Sequence, residues 1–442
     1  MTPQPQPSPK RMTLAALVAA TYFMVGGWPY GMEDTVAKAG YGGAILILLI
    51  TPALWAFPTA LVVSELASAL PEEGGFYIWV SRGMGRFWGF QEAWLSLVGS
   101  IFDMALYPTL FVSYLGHFAP ALTSGGRGIA VGIVLIAGAA LWNMLGAKAV
   151  GGSSVAIGVA LLAPFAVLSC YAVLHRSTGG APAPAPSHID YLGGILVALW
   201  NYMGWDNAST VAGEVERPQR TYPLAMAGAV SLVALNYVLP IGAVWVTGLD
   251  PNRWSTGGRA DVGHAVMGSG AAGTAIAVIL TIGGMLGALG TLNALTLSFS
   301  RLPAAMAEDG LIPRIFQRRL ASNGVPWVAV LGCATCWALC LGLTFTKLVM
   351  LDVLLTGLSI LLEFATLIAL RIREPKLPRP YRVPGGLAGA FAIGIPPAAL
   401  LLLTAIREQA EPIGPINAFE LGAILIGLGV VAYFIGERIR RK

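Results

Sequence analysis

Apolar stretches long enough to cross a lipid bilayer recur from one end of this 442-residue chain to the other. A membrane-spanning helix needs about 20 predominantly apolar residues. Charged residues make up only 11% of the sequence, whereas a soluble protein carries about a quarter. The sequence therefore predicts an all-α integral membrane protein with twelve transmembrane helices. The predicted spans are residues 13–38, 43–70, 87–119, 128–146, 152–175, 191–213, 222–248, 271–302, 325–345, 348–370, 385–406 and 417–436.

The basic residues are divided unequally between the two sides of the predicted membrane. With the N-terminus in the cytoplasm, 20 of the 27 Lys and Arg residues fall on the cytoplasmic side and seven on the outer side. Membrane proteins carry such an excess of positive charge in their cytoplasmic loops. We therefore predict that both termini are cytoplasmic and that the net charge of +5 reflects topology rather than nucleic-acid binding. The Arg-, Ala- and Gly-rich composition favours a GC-rich bacterium, and hence its cell (inner) membrane.

A loop rich in Pro, Ala and Gly at 177–188 divides the predicted helices after the fifth span. Such a composition is typical of a flexible or extended linker, and we place it outside the cell. Because five is odd, a second set of five helices would enter from the opposite side, which gives an inverted repeat. The predicted parts are a disordered cytoplasmic tail (1–12), two inverted repeats (13–176 and 189–372), two further helices (385–437) and a basic cytoplasmic tail (438–442).

Two of the predicted spans contain residues that interrupt a helix. The first contains a Gly-Gly-Trp-Pro run at 26–29, and the sixth contains a Gly-Trp-Asp run at 204–206. Glycine and proline disfavour a helix interior, and transporters bind solutes where their helices are broken. We therefore predict that helices 1 and 6 are discontinuous; a simple proline kink in helix 1 is the alternative. The solute-site residues predicted from these breaks are Gly26, Gly27, Trp28, Gly204, Trp205 and Asp206.

Acidic side chains lie within the predicted spans, at depths where the sequence places no Lys or Arg. They are Glu92, Asp103, Asp206 and Glu363, with Glu33 nearer the first helix break. A carboxylate in the bilayer is costly, so it either takes up a proton or faces a cationic substrate. We predict substrate contacts for Asp103, Asp206 and Glu363, and proton coupling through Asp206, Asp103, Glu33 or Glu92. The alternative for each is a protonated acid that hydrogen-bonds to a neighbouring helix.

Aromatic residues accompany these acids. Tyr30 follows the first helix break, Tyr107 lies one turn after Asp103, and Trp200 precedes the second break. Ammonium groups bind well over aromatic faces. We therefore predict Tyr30, Tyr107 and Trp200 as further substrate contacts, with packing in the core as the alternative for each.

Five runs of sequence, in order along almost the whole chain, resemble the amino acid–polyamine–organocation superfamily of secondary transporters. The runs are ELASALPEEGGFYIW (65–79), GFQEAW (89–94), AGEVERPQRTYP (212–223), RLPAAMAEDGLIP (301–313) and RPYRVP (379–384). The polyamine-uptake branch is the most similar, through GMED (31–34), DMALYP (103–108) and WDNAST (205–210). This resemblance implies a LeuT-like fold of five-plus-five inverted repeats with two C-terminal helices, and alternating access around helices 1, 3, 6, 8 and 10.

The sequence departs from the superfamily in helix 1. Its amino acid carriers have a Gly-Ser-Gly-like run there, whose backbone amides hold the substrate carboxylate. This chain has Trp28 and Pro29 in that region, and proline has no N–H group. The departure favours amines without a carboxylate. In the similar arginine/agmatine exchanger, Trp200 matches the residue that covers the site, and Asp206 matches a glutamate one turn above it.

The expected function is secondary transport of amino acids or polyamines, with cationic amines carried together with protons; an amino acid/amine antiporter of the arginine/agmatine type is the alternative.

We predict that the protein needs no metal and no cofactor besides an ion gradient. Cys333, Cys336 and Cys340 lie within one apolar span, where cysteines pack as small residues, and the His residues do not have the spacing of metal ligands. A membrane-embedded enzyme would need a base at depth, and no His lies there. The expected partners are the cationic small molecule and the lipid bilayer; the oligomeric state stays open. Sodium is the alternative coupling ion, with candidate ligands Thr291, Asn293, Thr296 and Ser298.

Overall fold

The computed structural model describes residues 12–25, 29–71, 75–145, 154–175, 183–186, 188–254, 256–408 and 412–440, and these fold predominantly into helices. The helices before the predicted linker are α1 (Leu14–Met24), α2 (Glu33–Thr51), α3 (Phe57–Ala69), α4 (Gly75–Met84), α5 (Arg86–Leu115), α6 (Pro120–Thr123), α7 (Gly126–Met144) and α8 (Ser154–Leu174). Those after it are α9 (Tyr191–Asn201), α10 (Pro218–Trp245), α11 (Arg259–Met267), α12 (Ala271–Phe299), α13 (Arg301–Glu308), α14 (Trp327–Leu339), α15 (Phe345–Arg373), α16 (Gly386–Glu408) and α17 (Ala418–Arg440).

Shorter elements connect these helices. A π-helical turn (Pro52–Ala56) joins α2 to α3, and 3₁₀ helices occupy Trp205–Glu214, Pro251–Arg253 and Arg314–Gln317. An antiparallel hairpin of β1 (Pro412–Ile413) and β2 (Ile416–Asn417) precedes α17. Met12, the last residue of the predicted tail, pairs with Val215 just after the 3₁₀ helix.

Eight helical segments among the described residues are long and apolar enough to cross a membrane. They are Glu33–Ala69, Arg86–Leu115, Gly126–Met144, Arg220–Trp245, Ala271–Glu308, Phe345–Arg373, Gly386–Arg407 and Ala418–Arg438. Leu161–Leu174 and Trp327–Leu339 are apolar but shorter, and the first and sixth predicted spans are interrupted. The chain is therefore a multi-pass membrane protein, while the count of twelve spans stays a prediction.

Both helices that were predicted to be discontinuous are interrupted. α1 ends at Met24, and α2 begins at Glu33; α2 itself leaves helical geometry at Gly40, so 33–39 forms a separate short segment. α9 ends at Asn201, and the 3₁₀ helix begins at Trp205. Between them, Gly204 has φ 92°, a conformation that favours glycine.

The two breaks lie against each other. A Cβ atom added at Gly204 would lie 3.0 Å from the backbone oxygen of Met24, the last residue of α1. Neither the backbone angle nor the space at Gly204 therefore suits a larger residue. The contact brings together residues that are about 180 positions apart in sequence. This separation is roughly the length of one predicted repeat, so the two breaks occupy corresponding positions in the two predicted repeats.

Gly204→Ala is therefore expected to lower the free energy of unfolding by about 1–3 kcal/mol, because alanine at a positive φ is strained and its methyl group would press on Met24. Gly290→Ala is the matched control, since a Cβ there has open space within 4 Å. Unfolding of both variants in detergent measures the difference. Equal losses in the two would contradict the close approach.

Aromatic donors satisfy the backbone carbonyl groups that the second break releases. Tyr237 donates to Asn201 O at 3.0 Å, Trp205 Nε1 donates to Tyr202 O at 2.7 Å, and Tyr222 donates to Ala208 O at 2.7 Å. Carbonyl groups at membrane depth need such partners. These bonds hold the break open and fix Trp205, whose side chain is fully buried.

Helices α5 and α15 pack side by side in opposite directions. Ser96 on α5 lies against Ser359 on α15, and Gly99 on α5 lies against Thr356 on α15. A Cβ atom added at Gly99 would lie only 2.6 Å from Thr356 Oγ1. The absence of a side chain at position 99 therefore lets the two helices approach closely. This pair forms one wall of the site described next.

Candidate functional site

A cavity of about 90 Å³ lies where the two helix breaks meet α5, α12 and α15. Its lining combines carboxylates, aromatic rings, small residues and hydroxyl groups. The lining residues are Met24, Val25, Tyr30, Phe76, Ser96, Asp103, Tyr107, Leu110, Tyr114, Trp200, Asn201, Met203, Gly204, Asp206, Asn207, Gly284, Gly287, Ala288, Thr291, Leu295, Phe299, Asp352 and Thr356. None of these described lining residues is Lys, Arg or His.

Asp103 is held by two aromatic donors. Tyr107, one turn further along α5, donates to Asp103 Oδ1 at 3.1 Å, and Trp200 Nε1 donates to the same oxygen at 3.1 Å. Trp200 also packs its ring edge-on against Phe345, with 5.5 Å between ring centroids. The carboxylate of α5 is therefore tied to the end of α9, at the second helix break.

Asp206 enters the cavity from the first turn of the 3₁₀ helix after the break. Its side chain is 8% exposed, and its Oδ1 has no hydrogen-bond partner among the described residues. A buried carboxylate oxygen without a partner is costly. The position is therefore suited to a ligand that donates hydrogen bonds or carries positive charge.

Asp352 is a third carboxylate of the cavity and was not among the site residues predicted from the sequence. It lies on α15, is 3% exposed, and accepts a hydrogen bond from Thr356 Oγ1 at 2.8 Å. It interacts electrostatically with Asp103 and Asp206. The signal was present, because Asp352 is an acid within an apolar stretch, which is the criterion that selected Glu363 on the same helix.

Several predicted site residues do line the cavity, namely Tyr30, Asp103, Tyr107, Trp200, Gly204 and Asp206. Tyr30 donates to Leu280 O at 3.0 Å and packs edge-on against Tyr114. Their roles in binding stay predictions.

Other predicted site residues lie elsewhere. Trp205 is not a lining residue, because its ring is buried and its N–H is used at the helix break. Glu363 also lies outside the lining and is fully buried. Gly26, Gly27 and Trp28 lie outside the described residues.

The candidates for proton coupling occupy three environments. Asp103 and Asp206 line the cavity, as given above. Glu33 is buried behind it and accepts a hydrogen bond at 2.8 Å from Tyr114, which is a lining residue. Glu92 is fully buried between α5 and α15 and accepts a hydrogen bond from Ser359.

The candidate sodium ligands on α12 are used in different ways. Thr291 lines the cavity, whereas Thr296 donates to Leu292 O of its own helix at 2.7 Å and Asn293 Oδ1 accepts from Asn143 at 2.8 Å. Over the described part of the chain, no group of three or more His, Cys, Asp or Glu residues is arranged to hold a metal ion.

Buried ion pairs hold the other end of α15. Glu65 on α3 is fully buried; it accepts from Arg371 Nε at 3.0 Å and from the backbone N–H of Val383 at 2.7 Å, and lies 3.4 Å from Arg379 Nε. We call Glu65, Arg371 and Arg379 the Glu65 cluster. The cluster binds α3 to α15 and to the loop after it.

A more exposed pair lies beside this cluster. Arg82 on α4 makes two hydrogen bonds to Glu374, of 3.0 and 2.8 Å. The hydrogen bond from Arg82 lowers the pKa of Glu374 below its usual value.

Comparison with known proteins identifies the family. The model of the amino acid permease family matches residues 17–426. A probable polyamine transporter of Arabidopsis thaliana is 35% identical, with 99% of this chain and 90% of the relative covered. The polyamine transporters RMV1 of Arabidopsis thaliana and PUT1 of Oryza sativa subsp. japonica are 33% and 32% identical, over 95% and 96% of this chain and 84% and 78% of their own lengths. The chain therefore belongs to the amino acid permease family, and it is a membrane transporter rather than an enzyme.

Proposed function

We propose that this protein carries polyamines, or other amines with more than one positive charge, across the cell (inner) membrane together with protons. The observation that carries the proposal is the set of three carboxylates, Asp103, Asp206 and Asp352, around one cavity with no basic residue among its described lining. Carboxylates around one cavity repel each other when they are ionised, and a cationic ligand relieves that repulsion.

The number of carboxylates favours an amine over an α-amino acid. They come from three separate elements, so they suit a ligand with amino groups at more than one point along its length. The carboxylate of an amino acid would instead be repelled. Aromatic rings at Tyr30, Tyr107 and Trp200 add surfaces over which ammonium groups bind favourably. The names of the relatives point to the same class of substrate.

We propose that transport proceeds by alternating access within a twelve-span, LeuT-like arrangement. Residues 13–176 and 189–372 would form the inverted repeats, 385–437 would add two helices, and both termini would be cytoplasmic with 177–188 outside. The two helix breaks that meet at Gly204 support the repeat, and the excess of basic residues on one side supports the orientation.

Binding to the purified protein tests the substrate class. Putrescine, spermidine and agmatine are expected to raise the unfolding temperature more than arginine or lysine, and neutral amino acids least. A ligand at about 100 times its Kd stabilises the folded state by about 2.7 kcal/mol, so a thermal-shift panel resolves the order. Strongest stabilisation by leucine, alanine or serine would contradict the proposal.

Uptake by reconstituted protein tests the coupling. Vesicles with an inward proton gradient are expected to accumulate labelled putrescine without any internal amine. A strict requirement for internal amine or amino acid would show an exchanger instead, and dependence on sodium would replace the proton as the coupling ion.

A further inference from the structure

Four polar side chains on the neighbouring helices α5 and α15 form a group next to the three-carboxylate cavity. They are Glu92 and Ser96 on α5 and Ser359 and Glu363 on α15, and we call them the acidic seam. Only Ser96 lines the cavity. The seam therefore begins at the binding site and leads away from it into the packed interior.

The hydroxyl groups of the seam connect Glu92 to the cavity. Ser359 Oγ donates to Glu92 Oε1 at 2.5 Å, and Ser96 Oγ lies 3.0 Å from Ser359 Oγ. A serine hydroxyl has one proton to donate. Since Ser359 gives that proton to Glu92, Ser96 must donate to Ser359. Both hydroxyls then point toward Glu92, and the lone pairs of Ser96 are left to accept a proton at the cavity.

The two carboxylates of the seam are buried with little compensation. Both Glu92 and Glu363 are 0% exposed. Glu92 Oε2 and both carboxylate oxygens of Glu363 have no hydrogen-bond partner among the described residues. An ionised carboxylate in such a place costs several kcal/mol unless a cation neutralises it. The seam is therefore a place where a proton is held strongly.

The charged groups around Glu363 do not supply that cation. It interacts electrostatically with two further acids, Glu92 on α5 and Asp206 on the 3₁₀ helix. The basic groups of the adjoining elements are engaged elsewhere. Arg371 and Arg379 are bound to Glu65 of α3, and Arg82 of α4 is bound to Glu374.

We propose that Glu92, with Glu363 as an electrostatically linked second carboxyl group, holds the proton that is carried with the amine, and that Ser96 and Ser359 pass it between Glu92 and the cavity. This inference rests on the proposed cotransport of a cationic amine. A proton from the cavity binds to Ser96 Oγ as the Ser96 proton moves to Ser359 and the Ser359 proton moves to Glu92 Oε1. One proton enters the chain and one arrives at Glu92. The reverse sequence releases it.

Separate places for the two cations follow from this arrangement. The amine would lie among the cavity carboxylates, whereas Glu92 and Glu363 lie outside the lining. A proton and an amine can then be bound in the same molecule, as cotransport requires. Their charges still interact, because Asp206 is electrostatically linked to both seam carboxylates.

Two transport modes of the full-length protein in proteoliposomes separate the seam from the amine site. Counterflow exchanges labelled for unlabelled putrescine without a pH gradient, and accumulation is driven by an inward proton gradient. Glu92→Gln and Glu363→Gln are expected to keep counterflow and putrescine affinity but to lose proton-driven accumulation. Retained counterflow also shows that each variant is folded.

The hydroxyl chain is tested by Ser359→Ala, which keeps both carboxylates. It is expected to slow proton-driven accumulation while counterflow is unchanged. Ser100→Ala is the matched control, because this buried α5 serine donates only to Leu97 O of its own helix, at 2.7 Å; both modes should be as in the wild type.

The outcomes distinguish the two proposals. If the wild type accumulates putrescine and both glutamine variants accumulate it equally well under a proton gradient, the seam does not hold the proton. The proposal of amine transport would be unaffected by that result. Loss of both transport modes in Glu92→Gln and Glu363→Gln, with normal putrescine binding, would also overturn it, because the carboxylates would then be needed for movement of the empty or loaded carrier. Absence of putrescine counterflow in the wild type would contradict the proposed function itself.

Discussion

Asp206→Asn is expected to weaken putrescine binding about ten- to a hundredfold, which corresponds to about 1–3 kcal/mol. The amide has nearly the same shape as the carboxylate but no charge, and the oxygen that it replaces has no partner among the described residues. The loss therefore reports the missing charge rather than a collapsed cavity. Titration calorimetry of the purified variant measures the affinity, and uptake at several pH values shows whether the pH dependence changes with it.

Asp250→Asn is the control for this substitution. Asp250 lies in the loop after α10, where its side chain accepts a hydrogen bond from the backbone N–H of Asn252 at 2.9 Å, and an asparagine oxygen can accept the same bond. Binding and pH dependence should not change in the control. Wild-type affinity in Asp206→Asn would assign Asp206 to helix packing and leave Asp103 and Asp352 as the carboxylates that bind the amine.

Glu65→Ala is expected to lower the free energy of unfolding by about 3–5 kcal/mol, because removal of one member of a buried ion-pair cluster leaves its partners buried without a counter-charge. Two guanidinium groups would be left in that position, since the side chains of Arg371 and Arg379 are 10% and 3% exposed. Denaturant unfolding in detergent measures the loss. Glu65→Gln should lie between the wild type and the alanine variant, because it keeps an acceptor oxygen.

Glu374→Ala is the matched control, because it removes an arginine partner at a partly exposed position. Water solvates the charge that is left there, so its effect should be small. If both alanine substitutions destabilised the protein equally, burial would not explain the importance of Glu65.

The helix breaks and most of the cavity acids could be predicted because their signals are local. Gly26, Gly27 and Pro29 disfavour helix wherever they occur, and an acid such as Asp103 is costly at membrane depth in any orientation. Both predicted helices are interrupted, the first between Met24 and Glu33 and the second between Asn201 and Trp205.

The direction in which a side chain points could not be predicted in the same way. Both the protein-facing and the lipid-facing sides of a membrane helix are apolar, so no amphipathic pattern marks the inner face. Trp205 was therefore assigned to the substrate although its ring is buried at the break, and Glu363 was assigned to the cavity although it lies behind the lining. The hydrogen bond between Ser359 and Glu92 joins residues 267 positions apart, and only the packing of α5 on α15 brings them together.

The aromatic donors at the second helix break affect how binding free energy is used. Asn201, Tyr202 and Ala208 already have hydrogen bonds to their carbonyl groups before any ligand arrives. A ligand therefore does not have to unwind α9 or compensate broken backbone bonds, so the site is preorganised. The free energy of amine binding then remains available to favour one conformation of the carrier over another. The difference in binding free energy between the two conformations sets how completely a bound substrate shifts the carrier from one to the other.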